Sequence, residues 1–204
     1  MCFHTKQTKT ALQLENRFKA KILNPEIFKT VAAYNGFGHP KTPVIANNSP
    51  ELIKHFQWGL IPFWASDDKI KAFTLNAKIE TINTTKSYKN CVNQRCLVLL
   101  DGFYEWKWLD PAGKKKQKYL ISLPDDGAFA LGGIWSEWTD KSTGEILSTY
   151  SIVTTEANEL MAEIHNNKRR MPVLLKPEEE GLWLTGKSFD DFKVRNVELK
   201  ATEI

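Results

Sequence analysis

Between residues 9 and 22 the apolar positions Ala11, Leu14, Phe18 and Ile22 recur at helical spacing, so the chain opens on an amphipathic helix. A stretch punctuated by Pro and Gly follows, YNGFGHPKTPVIANNSPE, and reads as irregular. ELIKHF then reads as a short turn of helix, and QWGLIPFW as a strand halted by Pro62. Further on the period changes to two. RCLVLLDGFYEWKW and KYLISL, separated by the basic turn LDPAGKKKQ, predict a hairpin with a long loop. FALGGIWSEW and LSTYSIVTT, joined through DKSTGE, carry the alternation and β-branched content of antiparallel strands.

The period then switches back. In TTEANELMAEIH, Ala157, Leu160, Met161 and Ile164 fall on one helical face, with Thr154 or Thr155 as the expected N-cap and His165 at the far end. MPVLL reads as a returning strand, and PEEEGLWL as a short helix started by Pro177. No repeat or linker interrupts the pattern. The expected fold is therefore α+β: a single domain over 1–204, predominantly antiparallel β with a barrel-like core and a few flanking helices, the tail 187–204 unassigned.

Composition narrows the function classes more than the fold. A chain of 204 residues is long enough for one sizeable core, and no apolar run approaches the roughly 18–20 residues of a membrane span. Residues 1–10 hold Lys6 and Lys9 and no apolar stretch of a signal peptide follows, so a cytoplasmic, nucleoid-associated protein with no membrane partner is expected. Three cysteines make no disulfide framework, and Cys91-x4-Cys96 lacks common zinc spacing, so neither metal nor cofactor is expected. The net charge of +4 is compatible with nucleic acid without requiring it.

Four polar positions have apolar or aromatic neighbours: Cys2 behind the initiator methionine, Asn76 in FTLNAKIETI, Glu105 in DGFYEW, and His165. Each has an ordinary explanation. A second-position Cys is commonly incidental, an Asn in a strand a satisfied amide, and a Glu between aromatics the solvent face of a strand. A His at a helix end commonly complements the dipole. Together they have a chemical use. If Met1 is removed, Cys2 carries a free α-amine of pKa near 8, of which about one in ten is neutral at pH 7. Such an amine captures aldehydes as a Schiff base, and its own thiol can close a five-membered thiazolidine. Dehydrating the carbinolamine and opening a cyclic sugar need positioned proton donors and acceptors, which a carboxyl and an imidazole supply. An Asn amide can orient the amine or hold an oxyanion. Trp58, Phe63, Trp64, Tyr104, Trp106 and Trp108 add faces on which unpaired bases could stack, although most such rings belong in a core. Lys78, Lys86, Lys168, Arg169 and Arg170 could track phosphates.

In order along the chain, MC, WGLIPFWA, NAKIETI, RCLVLLDGFYEWKW and TTEAN…IH…RMPVLL resemble the SOS response-associated peptidase family, the abasic site processing proteins, over residues 2 to about 186. The resemblance implies a sensor of abasic sites in single-stranded DNA that forms a thiazolidine crosslink through Cys2. Asn76 would place the nucleophile, Glu105 shuttle protons, and His165 assist proton transfer and reversal. Trp64 would wedge beside the lesion, with Lys78 and Lys86 on phosphates. It also implies removal of Met1 by the domain itself, weak lyase activity, a monomer, and the replication machinery as a further partner. The chain departs from the family at Phe3 and His4, which stand where Gly and Arg are usual. That substitution removes one phosphate contact and sets a bulky ring beside the nucleophile, where it would stack on a base or narrow the pocket. Two other classes use the same residues: a Cys/His thiol hydrolase, and a non-enzymatic single-strand-binding module.

Overall fold

In the computed structural model, which describes residues 2–204, β-structure dominates. The chain runs β1 (His4–Gln7), α1 (Ala11–Phe18), β2 (Lys21–Ile22), β3 (Val31–Asn35), β4 (Lys41–Ala46), β5 (Leu52–Trp58) and β6 (Asn76–Lys78). Then come β7 (Arg95–Leu100), β8 (Gly102–Trp108), β9 (Lys116–Ser122), β10 (Phe129–Thr139) and β11 (Ile146–Glu156). The C-terminal part holds α2 (Glu159–Ile164), β12 (Arg170–Pro172), β13 (Leu174–Leu175), α3 (Pro177–Leu184) and β14 (Lys200–Glu203).

Strands β5, β4, β7, β10 and β11 pair in that order, and β11 returns to β5 through the parallel register Thr149↔Gln57 and Tyr150↔Trp58. The ring closes, so these strands present no free edge to water. Alternation sorts the side chains to its two sides. Cys96, Val98 and Leu100 of β7 join the cluster that contains Cys2, Trp58, Phe103 and Tyr150. Leu97 and Leu99 join the cluster under α1 and α3, with Leu14 and Trp183. All six residues of β7 are buried, as a strand covered on both faces must be.

A second sheet, β14-β9-β8-β1-β3, is antiparallel throughout. The chain crosses from ring to sheet at Asp101, between β7 and β8. This fully buried carboxylate accepts from the Thr8 N–H (2.9 Å), the Thr8 hydroxyl (2.6 Å) and Lys6 Nζ (2.9 Å). Its own N–H donates to the Lys6 carbonyl at 3.0 Å. Asp101 therefore fastens the start of the chain to the point where the two sheets part.

The α+β class and β-dominated architecture expected from the sequence are what the molecule shows, and several local readings are corrected. The first helix stops at Phe18, because Lys19 turns left-handed (φ 54°) and Lys21–Ile22 pair parallel with β5. ELIKHF is strand. Ile53 and Phe56 mimic helical spacing, but the segment pairs with β4 on one side and β2 on the other, and Gln57 and Trp58 just beyond it pair with β11. The irregular stretch before it contains β4, a full member of the ring. Thr154 and Thr155 lie within β11, and Asn158 caps α2 instead, its Oδ1 accepting from the Met161 N–H at 3.0 Å.

Candidate active site

The first described residues are held one by one. The Cys2 carbonyl accepts from Asn76 Nδ2 at 2.8 Å, and the Phe3 carbonyl from the Gly36 N–H at 2.8 Å. His4 takes its place in the sheet between Asn35 and Tyr104. Cys2 is wholly buried, its Sγ 4.0 Å from the His4 carbonyl. Asn76 opens β6, which pairs parallel with β11, and the Tyr88 hydroxyl donates to its carbonyl at 3.1 Å. The Asn76 Oδ1 atom is buried with no hydrogen-bond partner among the described residues.

Glu105 lies one residue beyond Tyr104 on β8 and is 4% exposed. Burial pushes its carboxyl up from 4.5 to about 7, against a backbone hydrogen bond from Trp106 that favours the charge. His165 follows α2 directly; its N–H donates to the Met161 carbonyl at 2.8 Å, and its ring is buried. Nδ1 lies 2.8 Å from the Arg170 carbonyl and 3.2 Å from the Arg170 N–H, so that nitrogen is committed to backbone. Burial and nearby positive charge, including Lys168 and Arg170, lower its pKa to about 4. The Cys2 thiol is pushed up, first by burial and then by the charge of Glu105.

Glu105 and His165 face one cavity of about 270 Å³ together with Phe3 and His4, and Lys116 and Lys168 stand on its wall. A larger hollow of about 460 Å³ lies beyond Trp108 and Asn167. Its single titratable side chain, Asp110, is occupied by the N–H groups of Ala112, Lys114 and Lys115, so the hollow offers shape but no chemistry.

Four expected residues thus meet: Asn76 on the Cys2 backbone, and Glu105 and His165 on the cavity beside it. Phe3 and His4 join them. Lys78 shares the strand face of Asn76, two residues on, and is exposed. Trp64 is 37% exposed, with Lys86 Nζ 4.9 Å from its ring centre. Arg170 is not brought to the cavity wall; its guanidinium is bidentate to Glu80 (2.7 and 2.9 Å) and also donates to the Thr154 carbonyl. Trp58 and Tyr104 are core residues, with Trp58 Nε1 donating to the Leu75 carbonyl and the Tyr104 hydroxyl to the Ala32 carbonyl. The removal of Met1 concerns a residue outside those described. Sequence reasoning missed Asp101 and Tyr88. A lone acid ending the apolar run LVLLD was the available signal for Asp101; Tyr88 had none. No group of three or more His, Cys, Asp or Glu suited to a metal occurs among the described residues, and none of their helices is long and apolar enough to cross a membrane.

A buried cysteine at the head of a sheet, its carbonyl gripped by an amide and its thiol beside a shifted carboxyl, defines a class. The chain matches the family model of SOS response associated peptidase (SRAP) over residues 1–203, and it belongs to that family. Among its relatives is "Abasic site processing protein YoqW" of Bacillus subtilis, 41% identical over 148 residues, an alignment spanning 72% of this chain and 63% of that one. "Abasic site processing protein HMCES" of Gallus gallus is 32% identical over 157 residues, 66% of this chain and 45% of that protein. The chain thus spans under two thirds of these relatives' length. A crystal structure of a protein from Bacteroides thetaiotaomicron superposes with a TM-score of 0.90 at 31% identity, covering 100% of this chain and 92% of the other.

Proposed function

We propose that this chain captures abasic sites in single-stranded DNA as a covalent adduct on Cys2, after loss of Met1. The ring-opened deoxyribose presents an aldehyde at C1′. The Cys2 α-amine adds to it, and the carbinolamine loses water to give an imine. The thiol then adds across the C=N bond, sulfur to carbon and its proton to nitrogen, closing a thiazolidine. Water is the only by-product, and no oxidant or reductant is needed.

The observation that carries this reading is geometric: Glu105 and His165 face one cavity beside Cys2, whose carbonyl Asn76 holds at 2.8 Å. With a pKa of about 7, Glu105 holds both forms near neutral pH and can protonate the sugar ring oxygen, then accept a proton from the amine. His165, lowered to about 4, is neutral there and can accept and return protons through Nε2. Asn76 holds the Cys2 carbonyl and so fixes where the amine stands. Lys116 and Lys168 on the wall suit a polyanion, and Trp64 with Lys86 offers a stacking face and a charge to the strand.

Hydrolysis begun by a Cys2 thiolate fits less well. Thiolate nucleophiles need a depressed pKa beside a cation, whereas burial and Glu105 push this thiol the other way. A neutral thiol is what the last step, addition to an imine, can use. Lyase cleavage from the imine stage, self-removal of Met1, action as a monomer and contact with the replication machinery belong to the same proposal. So do the names of the relatives, which bring the abasic substrate to this chain.

The test is intact mass after incubation with an abasic single-stranded oligonucleotide. Wild type is expected without Met1 and heavier by the oligonucleotide less one water, in an adduct that survives heating. Cys2→Ala is expected to form none, and Cys2→Ser only an imine trapped by borohydride. Crosslinking by Cys2→Ala at the wild-type level, or by protein that keeps Met1, would overturn the proposal.

A further inference from the structure

Next to Phe3 the chain makes a tight turn, Gly36–Gly38, whose middle residue Phe37 is 58% exposed. Nothing about this turn is loose. The Gly36 N–H donates to the Phe3 carbonyl at 2.8 Å, the Phe37 N–H to Asn35 Oδ1 at 3.1 Å, and the His39 N–H to the Gly36 carbonyl at 2.9 Å. Asn35 is itself paired with His4 in the sheet. A Cβ at position 36 would lie 3.1 Å from both the Phe3 carbonyl oxygen and the Trp58 ring, so only glycine lets the turn dock this closely.

The Phe37 ring stacks on Phe3 with centroids 4.9 Å apart and planes 29° apart, and His4 meets its edge at 6.5 Å. Phe3 and His4 also face the cavity of Glu105 and His165. One face of Phe37 is therefore covered by the residue that follows Cys2, and more than half its surface stays in water. The face of the ring left in water gains nothing from burial.

We infer that Phe37 is a stacking platform for the nucleobase next to the captured sugar, with Phe3 as the underlayer that fixes its plane. This rests on the abasic-site reading above and adds to it a contact with the neighbouring base. A nucleobase is the occupant of choice on charge. Lys116 and Lys168 line the adjoining cavity, and Lys118 Nζ lies 4.2 Å from the Tyr104 ring centre and 5.8 Å from that of Trp106. That basic wall favours a polyanion whose bases have flat faces over an apolar protein segment. Phe3 is half-buried with Phe37 stacked on one face, which moves the stacking role from the ring beside Cys2 to the more exposed ring above it.

The test uses two single-stranded oligonucleotides carrying a tetrahydrofuran abasic analogue. In one, 2-aminopurine flanks the analogue; in the other, both flanking nucleotides lack bases. Wild type is expected to quench the 2-aminopurine on binding and to prefer the first strand. Phe37→Ala should lose the quenching and bind that strand about 5- to 150-fold more weakly, as expected for one lost base–aromatic stack. Its affinity for the base-less strand should match wild type, and Phe37→Trp should restore both readouts. Equal affinity of Phe37→Ala and wild type for the first strand would overturn the inference. So would an equal loss on both strands, the mark of a purely structural role. Parallel incubation with a true abasic strand separates the two readings: a wild type that forms no adduct overturns the abasic-site reading and the platform with it.

Discussion

Replacing Glu105 by Gln should make the protein more stable and less active, in amounts tied to one pKa. The carboxyl rises from 4.5 to about 7 on burial. A pH unit is worth 1.36 kcal/mol, so keeping this group charged in the folded state costs about 3 kcal/mol above pH 7. The sign follows from proton counts. Between pH 4.5 and 7 the folded chain holds more protons at this site than the unfolded chain, so stability falls as pH rises through that window. Below 4.5 both states are protonated and the penalty vanishes. His165 works in the opposite sense. With its pKa lowered from 6.5 to about 4, the unfolded chain holds more protons there, and stability rises with pH over that range. The two slopes nearly cancel in wild type, so the Glu105 contribution is visible only as a difference. Gln keeps an oxygen for the Trp106 N–H and removes the charge. In urea titrations at pH 5, 6, 7 and 8, Glu105→Gln should gain little at pH 5 and about 2–3 kcal/mol at pH 8. Its crosslinking rate should fall by roughly 10²–10⁴, the usual cost of losing a proton shuttle. A gain that does not grow with pH, or a fully active Gln variant, would refute the reasoning.

Two other substitutions probe how Cys2 is held. Asn76→Ala leaves the Cys2 carbonyl without its donor but also removes a buried, unpartnered Oδ1, and these penalties, each about 1–3 kcal/mol, offset one another. Stability should therefore change by under about 1 kcal/mol while crosslinking slows more than tenfold; a large fall in Tm with an unchanged rate would contradict the assignment. Asp101→Ala strands two Thr8 donors and the Lys6 ammonium at the sheet junction, and should cost about 3 kcal/mol in urea denaturation. A loss under about 1 kcal/mol would show that Asp101 does not fasten the N-terminal strand.

Where a segment's neighbours are close in sequence, its structure was legible. The β8–β9 and β10–β11 pairings and the α3 start at Pro177 follow from alternation, turn residues and capping. ELIKHF was not legible, because its strand character comes from β4 on one side and from β2, some thirty residues earlier, on the other. The same limit applies to the site. Glu105 could be found because a carboxyl among aromatic residues is costly wherever the strand packs. Tyr88 could not, because its contact with the Asn76 carbonyl reaches across twelve residues along a path of turns. Arg170 had the composition of a phosphate ligand, but its partner Glu80 comes from a different part of the chain.

The proposed capture by Cys2 would face a problem that the architecture answers. Chain ends fray, and a frayed amine would sample the lesion in many orientations, few of them reactive. Here the constraint is distributed: Asp101 fastens Thr8 and Lys6, the sheet registers His4, Gly36 takes the Phe3 carbonyl, and Asn76 takes that of Cys2. The backbone contacts are ordinary hydrogen bonds worth about 1 kcal/mol each and those to the Asp101 carboxylate are stronger; in sequence they tie down the chain from Thr8 to the Cys2 carbonyl. If Cys2 is the nucleophile proposed above, the entropy of positioning it is lost on folding rather than in the transition state. Crossing from closed ring to open sheet at Asp101 is what makes the arrangement possible. It lets Cys2 rest its side chain in the core shared with Trp58 and Tyr150 while the β8 residue Glu105, next in line, faces the cavity.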